Sequence, residues 1–161
     1  MKMFSGEKGT WIDLKKKIGE GKGFMATREE AENPAAAANI LITVGTTPAK
    51  LFSCVLGSED TGAIVALYEA PTAVTVVGTG VIEYNLNMTK AAAPGNTVTV
   101  THTPTIATDG TLMLLDQVTL GEIDLCDEGF ISLKPSTVYN VKLTNITNSE
   151  RTWVHLKWIE G

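Results

Sequence analysis

A chain of 161 residues is long enough for one domain with one sizeable core, and its 43% hydrophobic content is too high for a disordered polymer. The formal net charge of −5 has the wrong sign for nucleic-acid binding. No apolar run approaches the roughly 20 residues that cross a bilayer, and Met1–Thr10 lacks the apolar centre of a signal peptide. The expectation is therefore a protein made in a cytoplasm, with no membrane partner.

The first 38 residues differ in composition from the rest. They hold seven of the 13 basic residues against six carboxylates, leaving the remaining 123 residues with six basic and twelve acidic groups. Within this segment Trp11, Leu14 and Ile18 recur at i, i+3 and i+7, which predicts one or two helical turns. Gly19, Gly21 and Gly23 end them. Thr27 and Glu30 have capping-box spacing, so a second short helix is expected at 28–32, closed by Asn33-Pro34. Residues 1–38 read as an N-terminal arm with short helices, and residues 39–161 as the domain.

From Asn39 onward Val, Thr, Ile and Leu dominate, punctuated by Gly, Pro, Asn and Asp. Strands are expected at 40–44, 49–57, 63–69, 74–77, 81–87, 97–103, 111–121, 130–133, 138–145 and 152–159. Strict alternation is clearest at 138–145 and 153–158, as half-buried antiparallel strands require. Turns are expected at Gly78-Thr79-Gly80, Pro94-Gly95-Asn96, Asp109-Gly110 and Lys134-Pro135-Ser136-Thr137. Ten short strands with no helical crossover predict an all-β, antiparallel β-sandwich or jelly roll.

Candidate chemistry is sparse. The two histidines, His102 and His155, read as surface or partner-facing strand residues. Cys54 and Cys126 sit in apolar surroundings and read as buried free thiols, with a disulfide between them left open. No Gly-x-Ser-x-Gly elbow, Cys-x-x-Cys or His-x-x-x-His spacing is present, so no catalytic, cofactor or metal residue is assigned. Glu122, Asp124, Asp127 and Glu128 read as a solvated acidic loop. Trp153 and Trp158 lie at opposite parity on the last strand, placing one ring in the core and one outside. Phe4, Trp11, Leu14, Ile18, Phe24 and Met25 put large apolar groups in a segment with no obvious core. They either fold back on the sandwich or, with Trp153, bind a partner.

Several stretches resemble the jelly-roll head decoration (capsid cementing) proteins of tailed bacteriophages. They are Leu67-Tyr68-Glu69-Ala70-Pro71; His102 through Thr111; Phe130 through Tyr139 with its Lys134-Pro135 turn; Leu143-Thr144-Asn145; and the last strand ending Leu156-Lys157-Trp158-Ile159-Glu160. The resemblance implies a non-enzymatic virion structural protein. It would bind the major capsid protein on the outer surface of a phage capsid, as a homodimer or homotrimer, after assembly in the host bacterial cytoplasm. Two other readings are a carbohydrate- or receptor-binding sandwich of a phage fibre, using Trp153, Tyr139 and His155, and a metal enzyme on a jelly-roll scaffold. The last has too few histidines for the usual ligand set.

Overall fold

The computed structural model describes residues 7–30, 38–59, 62–76, 79–89, 97–102, 105–119, 121–127, 129–145 and 151–161. These form one helix, α1 (Glu7–Gly19), and fourteen strands. The strands are β1 (Gly23–Glu30), β2 (Ala38–Val44), β3 (Ala49–Ser58), β4 (Ala63–Glu69), β5 (Thr72–Val76), β6 (Thr79–Gly80) and β7 (Glu83–Asn85). They continue with β8 (Val98–His102), β9 (Thr105–Thr108), β10 (Thr111–Val118), β11 (Gly121–Asp124), β12 (Ile131–Leu133), β13 (Val138–Asn145) and β14 (Thr152–Glu160).

Two antiparallel sheets pack face to face as a β-sandwich. The first has the order β11-β3-β14-β1-β7, with β12 also on β3; the second runs β10-β4-β13-β2-β8-β6; β5 and β9 form a separate ribbon. The central orders, 3-14-1-7 and 4-13-2-8, match in chain position. The chain therefore passes between the two sheets after β1, β3, β7 and β13, and again after β2, β6, β10 and β12, and no two consecutive strands pair as a hairpin among the described residues. The core fills from both inner faces: Phe24, Leu51, Leu56, Leu156 and Trp158 from one, Ile40, Ile42, Leu67, Tyr139 and Val141 from the other, each at most 2% exposed. Phe24 stacks on Trp158, with ring centroids 5.9 Å apart and planes at 30°.

The N-terminal segment departs from the reading as an arm. The helix expected at 28–32 is replaced, over Gly23–Glu30, by β1, which pairs with β14 along its whole length and with β7 on its other side. Phe24 and Ala26 point into the core while Met25 and Thr27 point away. That period of two outweighs a local capping signal once a sheet offers eight paired residues. A boundary at residue 38 thus cuts a central strand from its own sheet. The expected turns around Trp11–Ile18 are α1, ended by Gly21 at φ 79°. There the Gly21 and Lys22 amides return to the Ile18 and Lys17 carbonyls, each at 2.9 Å. Asn85 and Asn87 donate to the Gly21 and Gly19 carbonyls at 2.8 and 2.9 Å, fixing the helix end to the sandwich.

Three other expectations change. Thr79-Gly80 is no hairpin tip; it pairs with Thr101 and His102 of β8, and Gly78 lies outside the described residues, as does Pro94-Gly95-Asn96. The strand expected at 111–121 is two strands in different sheets, separated at Gly121 (φ 89°). That expected at 81–87 shortens to β7, and β9 was not foreseen. The Lys134-Pro135-Ser136-Thr137 turn forms, carrying the chain from β12 in one sheet to β13 in the other. Ser136 sits at φ 53°, the left-handed conformation that this position of a Pro-containing type II turn demands. Ser136→Gly should therefore raise stability by about 0.5–1 kcal/mol, measured as an upward shift in thermal midpoint.

Candidate functional site

The outer face of the first sheet carries the most varied set of side chains. It is built by alternation along β14: Val154, Leu156 and Trp158 enter the core, leaving Trp153, His155 and Lys157 half-buried outside. Trp153 lies directly across from Gly57 of β3. A Cβ at Gly57 would stand 2.1 Å from the indole Cε2. The ring thus lies over a strand position that only glycine leaves open. Its Nε1–H donates to Glu122 Oε1 on β11 at 2.8 Å, which holds the ring in one orientation.

Beside it, His155 Nδ1 is 3.1 Å from Thr27 Oγ1 of β1, the residue it faces in the ladder. Arg151 Nη1 lies 3.7 Å from Glu29 Oε1, with both side chains more than half exposed, so that pair adds little stability. Together with Glu59 these groups line one shallow groove. It offers an aromatic face, three carboxylates, a guanidinium and an imidazole, a set suited to stacking on a ring and hydrogen-bonding its substituents. Of the three residues named for a glycan site, Trp153 and His155 meet here. Tyr139 does not: it is fully buried, and its hydroxyl accepts from the Lys134 amide at 2.9 Å.

The partner-binding candidates scatter. Leu14 and Phe24 are buried within this chain, at 3% and 2% exposure, so neither is presented to a partner. Ile18 and Met25 are half-buried. Phe4 and the Trp11 side chain lie outside the described residues. His102 is half-buried between Ile40 and Thr79 of the neighbouring strands.

No protein-family model matches the chain, and no curated protein matches it.

The acidic segment is more structural than a solvated loop. Besides Glu122 under Trp153, Asp124 Oδ1 accepts from the Cys54 amide at 2.9 Å and the Cys126 amide at 3.0 Å, clipping the turn after β11 to β3. Glu128 lies outside the described residues. Both thiols are free and buried. Burial, with Cys126 and Asp124 adding to it, raises the Cys54 pKa well above the usual thiol range. Burial and the Asp124 carboxylate push Cys126 up to about 12. The thiolate fraction of Cys126 at pH 8 should then be about a thousand-fold below that of an unperturbed thiol, and neither cysteine should react with iodoacetamide until the chain unfolds. The native state keeps a proton that the unfolded chain releases near the ordinary value of 9.0. Stability from this source is complete below pH 9 and declines towards pH 12. Urea midpoints should fall between pH 8 and pH 10.

The feature that sequence reading missed is the exposure of β10, which forms within the strand expected at 111–121. This strand lies at the end of the second sheet and, among the described residues, pairs only with β4. Seven of its eight residues are exposed, including Leu112 (49%), Met113 (39%), Leu114 (37%) and Leu115 (61%). The run Thr-Leu-Met-Leu-Leu was visible in the sequence, but nothing local marks it as an exposed edge.

Proposed function

We propose that this protein is a non-enzymatic virion structural protein that binds and stabilises the outer surface of a phage capsid as a homo-oligomer. The observation that supports this reading is the open edge of β10. Four consecutive large apolar residues on a strand whose second edge pairs with nothing among the described residues are a liability in a monomer and a natural contact in an assembly. High copy number on a shell lets modest contacts hold through multivalency. The resemblance over residues 40–161 points the same way.

The test is co-sedimentation of the full chain with expanded phage heads, compared with Leu115→Asp. Binding that saturates at a fixed ratio to the major capsid protein, and that the variant loses, supports the reading. Absence of binding to any expanded head overturns it. Deleting residues 1–38 is a poor test, because it removes β1 from between β14 and β7.

The Trp153 groove favours a second reading, a carbohydrate- or receptor-binding sandwich of a phage fibre. Its supporting observation is the indole laid over Gly57 beside Glu122 and His155. A glycan array probed with the wild type and with Trp153→Ala decides it: hits lost in the variant support this reading, and an array without hits removes it.

A further inference from the structure

We propose that β10 is the self-pairing edge of a two-fold dimer, in which β10 of one copy pairs antiparallel with β10 of a second and the two second sheets become one. This rests on the assembly reading above and names the occupant of that same edge. The argument starts from an irregularity. In the β10–β4 ladder Leu112 faces Tyr68 and Leu114 faces Leu67, leaving Met113 as an extra, bulged residue. Facing residues share a side of the sheet. Leu112 and Leu115 therefore lie on the outer side with Tyr68 and Ala66, whereas Thr111, Leu114 and Asp116 lie on the inner side with Glu69, Leu67 and Val65. The bulge has swapped the parity of the strand halfway along.

That swap selects the partner. In a regular strand, two-fold antiparallel pairing matches residues of equal parity. Here such registers set Asp116 against its own copy or against Leu114, or place outer Leu112 against inner Asp116, or set outer Leu115 and Leu112 against inner Thr111 and Leu114. Pairing across the bulge instead sets Leu112 opposite Leu115 of the second copy, Met113 opposite Leu114, and Thr111 opposite Asp116. The outer leucines meet outer leucines. The only ionised side chain of the strand meets a hydroxyl that can donate to it, not another carboxylate. Self-complementarity of this kind is what an isologous interface requires. Since the whole chain carries a charge of −5, added salt should tighten the dimer, the reverse of its effect on contacts between opposite charges.

Sedimentation equilibrium of the full chain at low and high salt tests this, together with disulfide trapping. Wild type should be dimeric, more so in high salt, and Leu115→Asp monomeric with an unchanged circular dichroism spectrum. The double variant Leu112→Cys/Leu115→Cys should form a covalent dimer on mild oxidation, while Leu112→Cys alone should not. A monomeric wild type without cross-linking overturns the proposal. If that monomer still binds heads and Leu115→Asp does not, the edge meets the shell directly and the assembly reading survives alone. Cross-linking by the single Leu112→Cys variant would mean another register, which overturns the pairing proposed.

Discussion

Replacing Trp158 by alanine should destabilise the sandwich by about 3–5 kcal/mol, enough to unfold a marginal domain at 37 °C. Trp158 is the largest fully buried side chain among the described residues, at 0% exposure. Its ring stacks on Phe24 of the neighbouring strand β1, and its Nε1–H donates to Glu160 Oε1 on its own strand at 3.2 Å. Alanine removes the apolar area and leaves a cavity that close-packed neighbours such as Leu51, which faces it across the ladder, cannot fill. Trp158→Phe keeps most of the stack and loses the hydrogen bond, so a smaller loss of about 1–2 kcal/mol is expected. Urea titrations followed by far-ultraviolet circular dichroism give the comparison. An alanine variant as stable as wild type would show that β1 and β14 are not joined through this ring.

The position of Trp158 was legible in the sequence, because strict alternation over 153–158 puts Trp158 and Trp153 on opposite faces. Strands were also placed at the observed bounds of β4 and β13, the second of them marked by alternation and by the Lys134–Thr137 turn that precedes it. β1 was not legible. Its alternation of Phe24, Met25, Ala26 and Thr27 is short and follows three glycines, and its strand character comes from pairing with β14, more than 120 residues away. β10 and the start of β11 were joined in reading because no Gly, Pro or Asn interrupts Thr111 through Leu120; the passage into the other sheet between Val118 and Gly121 separates them. The groove was half legible. The parity of Trp153 and His155 was visible, but Glu122 and Gly57 reach them only through sheet order. Exposure of β10 depends on its being last in its sheet, which is a property of topology and not of composition.

Glu160→Ala should be nearly as damaging as the loss of Trp158, at about 3 kcal/mol. Its carboxylate is buried, 6% exposed for the residue, and no described cation stands against it in an ion pair. Instead it gathers neutral donors from another part of the chain. Oε2 accepts from the Thr97 amide at 2.8 Å and from its hydroxyl at 3.2 Å, and Oε1 accepts from the Val98 amide at 3.1 Å and from Trp158. The first two amides open β8, so one side chain on β14 of the first sheet starts a strand of the second. Truncation takes the acceptor from four donors, the buried indole N–H of Trp158 among them. A buried donor left unsatisfied costs about 1–3 kcal/mol. Glu160→Gln keeps the shape and one acceptor oxygen but turns an amino group towards donors, so an intermediate loss is expected. Hydrogen exchange separates local from global effects: the β8 amides Val98 and Val100 should lose protection in Glu160→Gln before those of β3 and β13 do. Uniform loss across all strands would mean that Glu160 stabilises the sandwich as a whole and does not specifically start β8.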